Sequence, residues 1–126
     1  MRISHKNLES DERATSAIEF ALVGPVFIMF LIGTFYLCMS LAVAGSLHYA
    51  VEEGARCASV RTTVCTDHDT TIAYTKGRYF GPSSVPLFVY DAGAACGHSV
   101  TASIDYVLDL GIKQITVPIT AAACFP

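Results

Sequence analysis

Polar and apolar positions divide the chain into three parts. Residues 1–14, MRISHKNLESDERA, mix charges of both signs, with Arg2, Lys6 and Arg13 beside Glu9, Asp11 and Glu12. Residues 20–47 contain no Asp, Glu, Lys or Arg. An apolar run of about 18 or more residues with few charges is long enough to cross lipid, so this run predicts a transmembrane helix. The pattern then changes. Leu47, Ala50, Val51, Gly54, Ala55 and Ala58 follow the i, i+3, i+4, i+7, i+8, i+11 spacing, while Glu52, Glu53, Arg56 and Ser59 take the other faces. That is one apolar stripe on a helix. No Pro falls between residues 26 and 81. The two patterns therefore predict one helix over residues 15–61, roughly 70 Å long at about 1.5 Å per residue.

Beyond Arg61 the periodicity breaks. TTVCTDHDTT is polar and turn-like. DHDTTIAYTKGRYFG predicts a short second helix capped by Thr66 or Asp67, with Gly77 unfavourable in its interior. GPSSVP reads as a loop, LFVY as a short strand, and DAG as the end of that strand. HSVTASIDYVL alternates, with Val100, Ala102, Ile104 and Tyr106 on one face. KQITVPITA alternates too, with Ile115, Val117 and Ile119 together, and DLG between the two reads as a hairpin turn. These strands predict an antiparallel pair with its apolar face on the long helix. Pro118 marks its strand as an edge or a bulge. The fold class is α+β: a long N-terminal transmembrane and amphipathic helix with a small C-terminal head containing an antiparallel β-hairpin. The domains are a leader (1–14), the helix (15–61, its membrane part about 20–47) and the head (62–126).

Composition adds two constraints. The chain has 126 residues, enough for one domain, and a formal net charge of -3. No Lys/Arg cluster exists outside the N-terminal tail, so the basic footprint that nucleic-acid binding needs is missing. Of the five cysteines, Cys38 lies in the apolar run, where it is most simply a small apolar side chain. Cys57, Cys65, Cys96 and Cys124 follow the run. Four cysteines in a small domain beyond a membrane segment point to two disulfides in an oxidising compartment. Reduced thiols or zinc are the alternatives, but zinc sites usually show close CxxC-type pairs and none occurs.

Four cysteines allow three connectivities. Cys57 and Cys65 flank the expected helix end, so a bond there would staple the helix C-terminus. Cys96–Cys124 would complete the set, with one conflict. Matching apolar faces pairs even residues of one strand with odd residues of the other, such as Ile104 with Val117, and this separates two even-numbered cysteines onto opposite faces. A bulge, or a bend at Gly97, would be needed to join them.

Lys and Arg before the first membrane segment favour a cytoplasmic N-terminus, with the cysteine-bearing part outside. The apolar run exceeds the 7–15 residues usual in a secretory signal. An AxA-like site at Ala42-Val43-Ala44 keeps secretion after cleavage near Gly45 as an alternative.

The stretch RATSAIEFALVGPVFIMFLIG, followed by AVEEGARCASV, resembles the TadE-like class of minor pilins (pseudopilins) of the Tad, or Flp, pilus system. The shared pattern is a charged leader, a small residue, four residues, Glu-Phe, an apolar run with an early Pro, and a later Glu-Gly-Ala-Arg. Here these are Ala14, residues 15–18, Glu19-Phe20, Pro25 and Glu53-Gly54-Ala55-Arg56. The resemblance covers the N-terminal half and is weaker beyond it. It implies that a prepilin peptidase cuts on the cytoplasmic side, between Ala14 and Thr15, leaving Glu19 as the fifth residue. The usual residue before the cut is Gly, and this chain has Ala14. It also implies inner-membrane insertion and partnership with other pilins and the pilus assembly platform.

Glu19 has a physical reading beside the resemblance. A carboxylate in hydrocarbon costs several kcal/mol unless it is paired or reaches the interface. A cut before Thr15 creates an ammonium group there, and in a bundle Glu19 of one subunit can pair with that amine on a neighbour and set the register. The alternative is a glutamate that snorkels to the interface. Pro25 removes a backbone donor and can kink or soften the helix.

Other chemistry is hard to find. His5, His48, His68 and His98 lack metal-ligand spacing, and Asp67-His68-Asp69 reads as a helix cap with a solvated acidic face. No phosphate loop and no nucleophilic set can be argued from spacing. The sequence makes no case for an enzyme, a cofactor or a small-molecule substrate. Beside the pilin reading stands an uncleaved, single-pass anchored periplasmic binding module.

Overall fold

The computed structural model describes residues 5–82, 85–109, 111 and 113–126, with side chains described from Thr15 onward. Residues 1–4 of the leader, the side chain of Ala14, Ser83 and Ser84 of the loop and Leu110 of the hairpin turn lie outside the described residues.

Helix α1 spans His5–Val60, α2 spans His68–Lys76, and strands β1 (Leu87–Ala94), β2 (Gly97–Asp109) and β3 (Gln114–Phe125) follow. The expected helix start at Thr15 is corrected upstream: no Gly or Pro precedes Gly24, so nothing in the leader stops the helix from beginning at His5. The helix continues through Pro25 and ends one residue before Arg61.

The chain divides into two compact units, residues 1–37 and 38–126. In the first, most of the described apolar side chains are exposed, among them Ile18, Phe20, Leu22, Phe27 and Phe30. The second has a core. Val43, Leu47, Ala50, Val51 and Ala55 of α1 form one buried cluster with Phe88, Val100, Ala102, Ile104 and Ala121 of the sheet. Each Val, Leu or Phe buried fully in such a core contributes about 1.5–3 kcal/mol. The apolar stripe expected on α1 is this packed face, with Gly54 and Ala58 also buried. The stripe begins four residues earlier than expected, at Val43, which is 2% exposed and inside the run assigned to the membrane part.

The sheet is antiparallel, in the order β1-β2-β3. Even residues of β2 pair with odd residues of β3, as face matching requires, but Ile104 lies opposite Ile119 and Val117 opposite Tyr106, two residues from the expected pairing. DAG does not end the first strand. Gly93 N–H donates to Asp91 Oδ1 at 2.8 Å, a local Asx turn, and the register shifts between Asp91 and Ala94 while β1 continues. The turn chemistry is real, but it makes a bulge.

Disulfides join Cys57 to Cys65 and Cys96 to Cys124. The parity conflict disappears because Cys96 sits in the β1–β2 turn, outside the ladder, while Cys124 pairs with Ser99. Gly97 makes this possible. Its φ is +113°, and a Cβ there would collide with the Phe125 carbonyl oxygen. Ser59 Oγ donates to Pro126 O at 2.5 Å, which places this end of the sheet beside the C-terminal turns of α1.

Asp67 caps α2. Its Oδ1 accepts from Thr70 N–H at 2.8 Å, and its own N–H donates to Thr70 Oγ1 at 3.1 Å, closing a capping box. The bonds Thr70 donates to the Asp67 carboxylate, from its N–H first and then from its hydroxyl, hold that carboxyl below its ordinary range. Gly77, unfavourable inside a helix, is instead the C-cap.

Candidate assembly segment

Thr15, Glu19, Phe20 and Pro25 all lie on α1, and all four are exposed in the single chain. Thr15 and Glu19 are i and i+4, so they share a face one turn apart. Phe20 is 78% exposed on the adjacent face. Pro25 has no N–H to offer the Ala21 carbonyl, yet the helix runs on through it. Around these residues α1 is apolar on every side. A helix of that kind needs lipid or other helices to cover it. This one apolar helix near the N-terminus suggests a single-pass membrane anchor. Cys38, on the same helix, is an exposed free thiol.

The second part of the motif, Glu53-Gly54-Ala55-Arg56, is where α2 docks on α1. Gly54 faces Thr75 so closely that any Cβ would strike the Thr75 side chain. Thr71 and Thr75 are fully buried, and each hydroxyl is satisfied within its own helix: Thr71 Oγ1 donates to Asp67 O and Thr75 Oγ1 to Thr71 O, both at 2.8 Å. Buried hydroxyls bonded in this way cost little, so threonine can pack like valine.

Tyr74 completes the junction. Its hydroxyl donates to Glu53 Oε2 at 3.4 Å and accepts from Arg78 Nη2 at 2.9 Å and Arg61 Nη1 at 3.3 Å. The Arg78 guanidinium also lies over the Tyr74 ring, 4.8 Å from its centroid. The hydrogen bond to Tyr74 is the main reason the Arg78 pKa is raised. Glu53, Arg56, Cys57, Val60, Arg61 and Tyr74 line a cleft here. Sequence reasoning singled out Glu53, Gly54 and Arg56 but not Thr71, Thr75, Tyr74 or Arg78. The i, i+4 spacing of Thr71 and Thr75 was a usable signal, hidden because threonine counts as polar.

Among the described residues no group of three or more His, Cys, Asp and Glu side chains is arranged to hold a metal. Asp67-His68-Asp69 serves the cap, with His68 Nδ1 3.2 Å from Asp69 Oδ1. The four cysteines beyond the apolar run are consumed by the two disulfides.

No curated protein and no solved structure matches the chain. Residues 14–56 match the family model described as TadE-like protein. That segment starts at Ala14, runs through Glu19, Phe20 and Pro25, and stops at Arg56 beside the α2 docking site. Over residues 14–56, about a third of its length, the chain is similar to the TadE-like family.

Proposed function

We propose that this protein is a minor pilin, or pseudopilin, subunit used in assembly of a Tad (Flp) pilus. In this reading it is inserted once in the bacterial inner membrane, with the N-terminus cytoplasmic and the cysteine-bearing head periplasmic. A prepilin peptidase cuts between Ala14 and Thr15. Glu19 then pairs with the Thr15 amine of a neighbouring subunit, and the exposed apolar face of α1 packs against other pilins. The role is assembly, not catalysis, and the remaining partner is the pilus assembly platform.

The observation that carries this reading is the TadE-like match over residues 14–56, which begins at the residue before the proposed cut. The exposure of Ile18, Phe20, Leu22 and Phe27 supports it, because a helix bundle covers what a single chain leaves open. Ala14 in place of Gly favours a second reading, an uncleaved single-pass anchor carrying a periplasmic binding module.

The N-terminal residue of the mature chain decides between them. The chain is co-expressed with and without a prepilin peptidase, and its mass and N-terminus are measured. Thr15 is expected with the peptidase. Retention of Met1 under both conditions favours the anchor, and a start near Gly45 means secretion instead.

A further inference from the structure

We infer that the chain just past α2 makes a second membrane contact, seating Phe80 and Tyr49 in the headgroup layer of an anionic bilayer. This rests on the reading of α1 as a membrane anchor. Phe80 N–H donates to Ser46 Oγ at 2.6 Å, and the Phe80 ring stacks on Tyr49 with centroids 5.9 Å apart. The segment is thus tied to α1 where its uncharged run ends, at Leu47. About 20 residues cross the hydrocarbon. Counted from Phe20 that reaches residue 39, and the next few residues pass the headgroups just before Ser46.

Three observations select lipid as the occupant. First, the apolar side chains here are left open: Phe80 is 72% exposed, Val85 78%, and Leu41 on the neighbouring turns of α1 63%. Second, an amphipathic aromatic pair is suited to the interface, where a ring can lie in the acyl boundary while a hydroxyl stays wet. Third, the stretch after α2 carries charge of one sign, while of the two carboxylates one turn beyond Tyr49 on α1, Glu53 accepts from Tyr74 and Glu52 is exposed. Between Tyr74 and Tyr90 the only charged residues are Lys76 and Arg78. Arg78 is engaged with Tyr74, which leaves exposed Lys76 to face phosphate headgroups. Lys76 also rims an apolar recess lined by Tyr79, Pro82, Val85, Pro86 and Phe88. The Tyr79 hydroxyl is buried and has no hydrogen-bond partner, so the recess is not optimised for the isolated chain.

The chain has no Trp, so single tryptophans report one position each. The full chain is reconstituted in vesicles of phosphatidylethanolamine and phosphatidylglycerol with brominated acyl chains, as Phe80→Trp, Phe27→Trp or Val64→Trp. Val64, 51% exposed beyond the far end of α1, is the reference. Quenching and a blue shift are expected at positions 27 and 80 but not at 64. Lys76→Glu should reduce the quenching at 80. Quenching at 27 without quenching at 80 overturns the second contact and leaves the anchor standing. No quenching at 27 overturns the anchor itself. A residue 80 signal shielded from aqueous iodide yet untouched by brominated lipid means that another protein surface covers the patch, which also overturns the proposal, as does equal quenching at 64.

Discussion

Gly54 of α1 and Thr75 of α2 touch so closely that hydrogen is the only side chain position 54 accepts. Glycine inside a helix costs about 1 kcal/mol relative to alanine. Here that cost is offset by the contact it permits, because Thr75 is fully buried against it. Gly54→Ala should therefore destabilise the protein by about 1–2 kcal/mol, overpacking outweighing the gain in helix propensity. Adding Thr75→Ala should recover part of the loss. Denaturant titration of the two single variants and the double variant measures the coupling, and additive effects would mean the two residues do not meet.

The two disulfides close loops of different size, with sequence separations of 8 and 28. Chain entropy alone gives roughly 2.5 and 3.6 kcal/mol respectively. Replacing Cys96 and Cys124 by alanine should then lower stability about 1 kcal/mol more than replacing Cys57 and Cys65. Equilibrium unfolding of the two double variants tests the order, and peptide mapping of the unreduced protein tests the connectivity.

Asp67 makes the cap of α2 dependent on acid. Its carboxyl titrates below its ordinary value in the folded chain, so its contribution is present above that ordinary value and is lost as pH falls through the lower, folded one. Asp67→Asn keeps a capping oxygen without a titrating group. Wild type should lose stability relative to this variant on acidification and match it more closely near neutrality. Parallel pH titrations of the two would show no divergence if the carboxylate bonds to Thr70 do not form.

Glu19→Ala separates processing from assembly. If Glu19 pairs with a neighbour's amine, the variant should still be cut after Ala14 while its incorporation into filaments falls about tenfold or more, the cost of leaving one buried charge unpaired. Immunoblotting of the membrane and sheared-pilus fractions reads both. Normal incorporation would remove the pairing role.

The long helix was legible because its signals are additive over many residues. Leu47, Ala50, Val51, Ala55 and Ala58 are all buried, as their spacing requires. The alternating face Val100, Ala102 and Ile104 is buried for the same reason. What escaped was local and reciprocal. The Asp91–Gly93 turn has the same composition whether it ends a strand or bulges one, and the outcome depends on what β2 offers opposite. Cys96 has no parity to violate once the turn lifts it out of the ladder. Tyr74 acquires a role only because Glu53, Arg61 and Arg78 converge on its hydroxyl from both helices, a relation that no window of sequence contains.

Pro118 lies within β3, the strand at one edge of the sheet. An unprotected edge can template the addition of another chain's strand, and a proline there leaves a gap in the row of donors. Heads crowded together at high local concentration are thereby discouraged from zipping into a continuous intermolecular sheet. In the proposed pilin reading, association falls to the exposed apolar part of α1 before Cys38, so ordered growth and aggregation would draw on different parts of the same chain.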